Sequence, residues 1–325
     1  MSPTKTAGLR LGAALSLSGR HARFGRQAGL GLEVWRSLGG GAEVTVEDDR
    51  SDPDVLEQVL RGLAGRCDVL LGPYSSQLAR RAGDVAAGLD RLLWNHGGSG
   101  DDVGTAHPGH VVSIPTPAGR YAEPFLDHLA ASGDLSPLWI AEGRGRFGRQ
   151  VAAGAAARAA ERGIPVVRAA PGAALPESGS WNLLCAGSFE EDVEVITRAG
   201  RPGVVCAVAA GVREFGTAVG DPRGVYGIGQ WCPGRGAEPL IGVTERDFVE
   251  AYEARAGVPP DYPAVQAAAA AIVAVHCAGL AGDTARERLW PVAAALETRT
   301  LFGAFLIDPG TGAQVGHRAV LTRWQ

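Results

Sequence analysis

Residues 68–76 read Asp-Val-Leu-Leu-Gly-Pro-Tyr-Ser-Ser, and this stretch decides the fold class. The short apolar run Val69–Leu71 is typical of a buried strand, which the Gly-Pro step ends. The residues that follow predict a helix over Gln77–Gly88 and a second buried strand over Leu92–Trp94. Buried strands that alternate with helices indicate a parallel sheet covered on both faces.

The same alternation extends in both directions along the chain. Towards the N-terminus, Leu9–Leu17 predicts the first strand and Gly25–Ser37 the first helix. Residues 115–117, Pro-Thr-Pro, favour an extended backbone, and the alternation restarts after them with a helix over Tyr121–Ser132. We therefore predict an α/β protein with two Rossmann-like lobes, each built on a parallel sheet.

Composition excludes several classes of protein. The 325 residues carry a net charge of −4 and a sequence pI of about 6.0, which argues against a nucleic-acid or anionic-membrane surface. None of the five cysteines forms a C-x-x-C pair, so the pattern supports neither a disulfide framework nor a zinc site. The sequence predicts buried thiols in a reducing compartment.

Two apolar segments invite a membrane interpretation. Leu11–Leu17 is short, contains Ser16 and has no small-x-small cleavage site after it, so we interpret it as strand rather than signal peptide. Ala264–Ala281 is largely Ala and contains Gln266, which predicts a buried helix rather than a membrane span. We expect no direct insertion into a membrane.

One motif is typical of dinucleotide-binding enzymes. Residues 143–148, Gly-Arg-Gly-Arg-Phe-Gly, match G-x-G-x-x-G between a predicted strand and a predicted helix. The next strand ends at Arg168 rather than at an acid, so Gly143–Gly148 gives an alternative function, an NADP-dependent oxidoreductase. The competing interpretation is a strand-to-helix loop whose glycines allow a tight turn.

Other chemistry-bearing motifs are incomplete. His96-Gly-Gly-Ser99 resembles an esterase oxyanion loop, but the chain has no G-x-S-x-G nucleophile motif. His107-Pro-Gly-His110 lacks the spacing that places two ligands on one helix face. We predict no catalytic residue, no metal site and no cofactor, and interpret the glycines of residues 96–99 as exposing backbone N–H groups to a ligand.

A series of motifs points to one family when taken in order. They are Leu9–Gly19 with Phe24-Gly25, Glu47–Pro53, Asp68–Ser76, Leu92–Ser99, Gly145–Gly148, and the end of the chain from Phe302 through Asp308, Gln314 and His317 to Trp324. Through these motifs the chain resembles a type I periplasmic binding protein of the leucine/isoleucine/valine-binding group.

The resemblance implies two lobes with an interleaved chain, three hinge crossovers and a ligand cleft between the lobes. The first lobe would comprise residues 1–117 and 237–299, and the second residues 118–236 and 300–325. The chain would end in a hairpin formed by Ala304–Asp308 and Arg318–Arg323. Loops at the carboxyl ends of the strands would face the cleft, where α/β sheets bind ligands.

The resemblance also implies a set of ligand contacts. They are Phe24, Ser75, Ser76, Gly98 and Ser99 in the first lobe, and Phe147, Gln230 and Trp231 in the second. Hydroxyls of Ser75 and Ser99, with N–H groups near Gly98, would hold a carboxylate or amide oxygen. Helix capping is the competing interpretation for the serines, and lobe packing for Trp231.

Two further contacts bear on the ligand. Phe147 can pack against a ligand side chain but cannot donate an O–H bond. Gln230 lies near the position at which amino-acid-binding members of the family carry an acid that holds the ligand's ammonium group. A neutral residue at this position weakens the case for a simple α-amino acid.

The expected function is non-catalytic binding of a small polar metabolite, with hinge closure around it. An amino acid, an amide or a small carboxylate is the favoured class of ligand. If a signal peptide was removed, the protein would be extracytoplasmic and would serve an ABC transporter through its permease. If Met1 is the native start, it would be a cytoplasmic sensor with a regulatory partner, as the unpaired cysteines suggest.

Overall fold

The computed structural model describes residues 8–134, 136–236 and 238–325. Its contacts divide the chain into two units. The first unit comprises the chain up to Pro115 together with Pro233–His317, and the second comprises Thr116–Cys232 together with Arg318–Gln325. The chain therefore passes between the units three times, after residues 115, 232 and 317.

Strands and helices alternate through both units. The strands are β1 (Leu9–Leu15), β2 (Ala42–Asp48), β3 (Val69–Tyr74), β4 (Leu93–Gly97), β5 (Val111–Ser113), β6 (Leu138–Glu142), β7 (Val166–Ala169), β8 (Asn182–Ala186), β9 (Val205–Ala207), β10 (Tyr226–Gly229), β11 (Thr298–Thr300), β12 (Gly303–Phe305) and β13 (Val320–Arg323). The helices are α1 (Ala22–Ser37), α2 (Pro53–Ala64), α3 (Ser76–Gly88), α4 (Glu123–Ser132), α5 (Arg146–Glu161), α6 (Phe189–Arg198), α7 (Glu214–Val219), α8 (Glu245–Ala256), α9 (Tyr262–Ala281) and α10 (Arg286–Ala295).

The sheet of the first unit is parallel, with strand order β2-β1-β3-β4-β5. Apolar side chains from α2 and α3 pack on one face of the sheet, around Leu56, Leu70 and Leu93. Helix α9 packs against α1 and β4. The order reverses direction between β1 and β3, which makes that point a topological switch, the usual ligand position in such sheets.

Helix α9 is long and apolar enough to cross a membrane, with a mean hydropathy of 1.8. In the structure 72% of that segment is buried, which fits the predicted buried helix. The contact with α1 is close at Gly31, where a Cβ atom would lie 2.3 Å from the carbonyl oxygen of Ala264. Small residues on both helices therefore allow this approach.

The sheet of the second unit has the order β13-β10-β9-β8-β6-β7. Five of its strands are parallel and repeat the order of the first sheet, while β13 adds an antiparallel edge to β10. One core contains residues of α4 and α5, including Phe125 and Val151, and a second contains Phe215 and Trp181. Together the two parallel sheets confirm the predicted fold class of two α/β lobes.

The end of the chain differs from the prediction. A tight turn does follow β12, with an antiparallel bridge between Ile307 and Gln314. However, β12 pairs with β11, and β13 pairs with β10 of the second unit rather than forming a hairpin with β12. The predicted division also placed residues 300–325 together in the second lobe, whereas the structure groups residues 300–317 with the first unit.

Polar contacts explain where residues 300–317 lie. The side-chain amide of Gln314 donates to the carbonyl oxygen of Ile114 at 3.2 Å, and the Ser113 N–H donates to the Gly312 carbonyl at 2.9 Å. Gly312 has φ +74°, and a Cβ atom there would lie 1.9 Å from the Val111 carbonyl oxygen. The turn is therefore fixed to the end of β5.

Candidate functional site

The carboxyl edge of the first sheet brings together most of the predicted first-lobe contacts. Ser75 follows β3 at the switch point and caps α3, since its Oγ accepts a hydrogen bond from the Leu78 N–H at 3.3 Å. Its backbone has φ +86° and ψ +144°, a region that costs a non-glycine residue about 1–3 kcal/mol. Ser76 begins α3 and is 8% exposed.

Helix capping is therefore one role of Ser75, as the competing interpretation holds. The strained backbone is not needed for a cap, since cap residues ordinarily adopt an extended conformation. Strain of this kind gathers at ligand-binding sites, where the surrounding structure holds a residue in an unfavourable conformation.

The loop after β4 carries Gly98 and Ser99, and the buried side chain of Asn95 holds it. The Asn95 amide donates to the Gly98 carbonyl at 2.7 Å and to Ser113 Oγ at 3.0 Å. The Gly98 N–H donates back to Asn95 Oδ1 at 2.8 Å. Asn95 thus takes the hydrogen bond of the Gly98 N–H itself, while the predicted ligand contact at Gly98 and at the N–H groups near it stays a prediction. Gly98 is also required for packing, since a Cβ atom there would lie 2.2 Å from the Ala79 Cβ.

Aromatic side chains lie at the same edge. The rings of Phe24 and Tyr74 stack with centroids 4.2 Å apart and an interplanar angle of 14°. The Arg23 guanidinium lies 4.8 Å from the Phe24 ring centroid, a cation–π contact. The hydroxyls of Tyr74 and Tyr262 are hydrogen-bonded at 2.6 Å. Phe24, predicted as a ligand contact, is therefore part of an aromatic cluster that ties α1 to β3 and α9.

Carboxylates at the end of β2 hold the loop after β1. Asp48 Oδ1 accepts from the backbone N–H groups of Leu17 and Ser18, and the Ser16 hydroxyl donates to Asp49 at 2.6 Å. Burial opposes ionisation of Asp48, but its hydrogen bonds outweigh burial and lower its pKa. Burial dominates at Asp49 and raises its pKa. These contacts give the acidic strand end a structural function.

The first turn of α5 contains the predicted contact Phe147. Its half-buried ring meets Tyr121 edge to face, with centroids 5.4 Å apart. A Cβ atom at Gly143 would lie 2.6 Å from the Gly187 Cα, and one at Gly148 would lie 2.4 Å from the Ala186 carbonyl oxygen. Close packing of loop, helix and strand therefore explains two of the three glycines in the dinucleotide-like motif.

Gln230 is 1% exposed and forms two hydrogen bonds with the backbone of Thr116. Its Oε1 accepts from the Thr116 N–H at 2.9 Å, and its Nε2 donates to the Thr116 carbonyl at 3.1 Å. The structure thus gives Gln230 a bracing role inside the second unit that the sequence did not reveal. Trp231 is 4% exposed, which fits the packing interpretation, and its predicted ligand contact stays a prediction.

Asn95, Tyr74 and Tyr262 are site residues that the sequence did not identify. Asn95 had a detectable signal, because it is a polar residue between a buried strand and a Gly-Gly pair. Tyr74 lies within the quoted 68–76 stretch, but nothing local indicates that it meets Tyr262, which is 188 residues away.

Known proteins resemble this chain in both sequence and fold. A family model described as periplasmic binding protein matches residues 8–178. A leucine binding protein from Thermotoga maritima is 15% identical, with a TM-score of 0.79 and coverage of 98% of this chain and 95% of that one. A comparison with curated proteins gives no match.

Two further solved structures name a ligand. A solute binding protein of an ABC transporter from Rhodopseudomonas palustris, in complex with 3,4-dihydroxybenzoic acid, is 15% identical with a TM-score of 0.79 and covers 98% and 93% of the two chains. An ABC transporter substrate-binding protein from Desulfitobacterium hafniense, in complex with Leu, is 15% identical with a TM-score of 0.77 and covers 98% of each chain. At this identity, the likeness shows a shared fold.

Proposed function

The chain belongs to the periplasmic binding protein family, and on this premise we propose that it is a non-catalytic binding protein for a small polar metabolite. The proposed role is that of the substrate-binding protein of an ABC transporter, with the permease as partner. An amino acid, an amide or a small carboxylate is the proposed class of ligand. The family match confirms the resemblance found in the sequence motifs.

The observation that carries this proposal is Ser75. It lies at the switch point of the first sheet, where α/β folds bind their ligands. Its hydroxyl sits at the N-terminus of α3, a helix of 13 residues whose first-turn N–H groups lack partners within the helix. Such a helix end favours an anionic oxygen, and the strained backbone of Ser75 supports a ligand-binding role.

A carboxylate is the group that this site suits. Ser75 and Ser99 supply hydroxyls, and hydrogen bonds from neutral donors to an ionised oxygen are short and strong. The ligands named for the two relatives, leucine and 3,4-dihydroxybenzoic acid, both carry a carboxyl group. The proposed contacts of Phe147 and Trp231 would add apolar and aromatic area to the ligand's other end.

Isothermal titration calorimetry over amino acids, amides and aromatic carboxylates tests the proposal. We expect at least one carboxylate to bind with a Kd on the order of micromolar. A complete panel without heat of binding or thermal shift would contradict the proposed ligand class.

Two substitutions at one position separate binding from folding. Both Ser75→Ala and Ser75→Gly remove the hydroxyl, so both should weaken binding about tenfold or more. Ser75→Ala should also lose about 1 kcal/mol of stability with the cap, whereas glycine at φ +86° relieves strain and offsets that loss. Unchanged affinity in both variants would limit Ser75 to capping.

A further inference from the structure

Strand β4 carries polar atoms into the interior of the first unit. Trp94 and His96 are both 0% exposed. The Trp94 Nε1 atom and both ring nitrogens of His96 have no hydrogen-bond partner among the described residues. Buried polar groups are nearly always hydrogen-bonded, and leaving one unsatisfied costs about 1–3 kcal/mol. Three such atoms within two residues of one strand therefore require a partner.

Alternation along β4 sends these side chains to one face of the sheet. Asn95, between them, reaches Gly98 and Ser113, and Leu93 lies in the core formed with α2 and α3. Trp94 and His96 therefore point to the opposite face. Helix α9 packs against β4.

Helix α9 places a complementary group at this face. Gln266 is 1% exposed, and its Oε1 atom has no hydrogen-bond partner among the described residues. The Tyr262 hydroxyl meets the Tyr74 hydroxyl, and Tyr74 pairs with Gly97, which directly follows His96. Gln266 is one helical turn beyond Tyr262, on the helix that packs against β4.

The chemistry of these atoms selects the missing partner. The Trp94 indole N–H donates a hydrogen bond, and Gln266 Oε1 accepts one. A neutral imidazole donates through one ring nitrogen and accepts through the other. Burial lowers the pKa of His96 to about 4, so its ring is neutral near pH 7. The described residues contain no group of three His, Cys, Asp or Glu side chains able to hold a metal ion. A small neutral molecule that both donates and accepts satisfies these groups.

We propose that Trp94, His96 and Gln266 form a closed hydration site between β4 and α9, which holds at least one permanently bound water molecule. A buried water typically makes about three hydrogen bonds to groups that the protein leaves unsatisfied. The site lies close to the end of β4, just before the loop that carries Gly98 and Ser99, so the water fixes His96 and the strand end from which that loop departs.

A crystal structure at about 1.5 Å and oxygen-17 magnetic relaxation dispersion test this proposal together. We expect density for a water within about 3.2 Å of a His96 ring nitrogen and of Gln266 Oε1. In solution, Gln266→Met should lose at least one long-lived water relative to the wild-type protein. Met removes the acceptor while nearly keeping the length of the side chain.

His96→Leu should lose the same water, and Gln266→Met provides the test if that variant does not fold. Leu93→Ile, on the other face of β4, is the matched control and should keep the wild-type number of long-lived waters. Direct hydrogen bonds among the three side chains without an intervening water would overturn the proposal. An unchanged number of long-lived waters in Gln266→Met would also overturn it.

Discussion

In the first unit an amide holds the loop after β4, and in the second unit carboxylates hold the loops after β6 and β8. Asn95 brackets Gly98 through both its amide nitrogen and its oxygen. In the second unit, Asp192 accepts from the N–H groups of Gly187 at 2.7 Å and Ala209 at 2.9 Å. The two sheets share one order of parallel strands, so the difference lies in the loops and not in the topology.

Glu191 adds a second carboxylate to the loops of the second unit. It completes a capping box with Ser188 at the start of α6, and it also accepts from the Arg144 N–H at 2.9 Å. It therefore joins the loop after β6 to the loop after β8. An amide clamp keeps its hydrogen bonds at any ordinary pH, whereas a carboxyl clamp changes its donors and acceptors when it binds a proton. The comparison predicts that the loops after β6 and β8 respond to pH more than the loop after β4.

The two carboxylates of the second unit respond to pH in opposite directions. Asp192 is fully buried, and burial raises its pKa to about 7 despite its backbone hydrogen bonds. Burial also opposes ionisation of Glu191, but hydrogen bonds from Ser188 and Arg144 outweigh it and lower its pKa. Asp192 therefore contributes stability at low pH, and Glu191 contributes stability above the ordinary carboxyl pKa.

The largest expected effect is the pH dependence due to Asp192. Its folded pKa of about 7 exceeds the ordinary 3.8, so its contribution is full below pH 3.8 and is lost as pH rises to 7. This linkage amounts to about 4 kcal/mol. Asp192→Asn, which does not titrate, should be less stable than wild type at pH 4.5 because its amide N–H₂ faces one backbone N–H. The difference in free energy of unfolding between wild type and variant should decrease steadily towards pH 8.

Urea unfolding between pH 4.5 and pH 8, with amide hydrogen exchange of β8 and β9 as a local readout, measures that difference. The difference between wild type and variant isolates Asp192 from the other carboxylates. A difference that stays constant across this range would mean that Asp192 does not titrate there.

The second prediction moves a carboxylate into the first unit. Asn95→Asp loses the donors to the Gly98 carbonyl and Ser113, and it buries a charge facing that carbonyl. We expect a loss of about 3 kcal/mol at pH 7, with partial recovery at pH 5 as the carboxyl is protonated. The measurement is the urea midpoint at both pH values.

Ser113→Ala is the control for this change, since it removes one neutral hydrogen bond of the same cluster. It should lose about 1 kcal/mol equally at both pH values. If Asn95→Asp matched Ser113→Ala in size and in pH independence, the amide would not be the element that keeps this loop insensitive to pH.

Local sequence patterns account for the elements shared by both units. The Asp52-Pro53 pair is a local helix-start signal for α2, and Asp52 accepts hydrogen bonds from the N–H groups of Asp54 and Val55. Apolar runs also predicted the buried strands, because periodicity and capping act over a few residues.

The loop clamps depend on contacts that no local pattern contains. Gln230 meets Thr116 from 114 residues away, and Gln314 meets Ile114 from 200 residues away. Amide and carboxylate side chains at such positions resemble ordinary surface residues in sequence. The partner of β13 was missed for the same reason, since a hairpin is the nearest local solution for two short strands at a chain end.

The smallest expected effect tests the opposite pH response within the second unit. Glu191→Gln keeps one carbonyl oxygen but replaces the other acceptor, so one hydrogen bond, from Ser188 or from Arg144, is lost. We expect a cost of about 1 kcal/mol at pH 7. Because the pKa of Glu191 is lowered, wild type should lose this advantage as pH falls below about 4.5, the reverse of Asp192.

Ser188→Ala, which removes the hydroxyl that caps α6, is the companion variant. It leaves the Arg144 contact in place and should cost a similar amount with little dependence on pH. The stability differences of Glu191→Gln and Asp192→Asn from wild type could instead change in the same direction with pH. Burial would then not dominate at Asp192 while hydrogen bonds dominate at Glu191. The two clamps would differ from Asn95 only in carrying a charge, because net charge alone would explain both pH profiles.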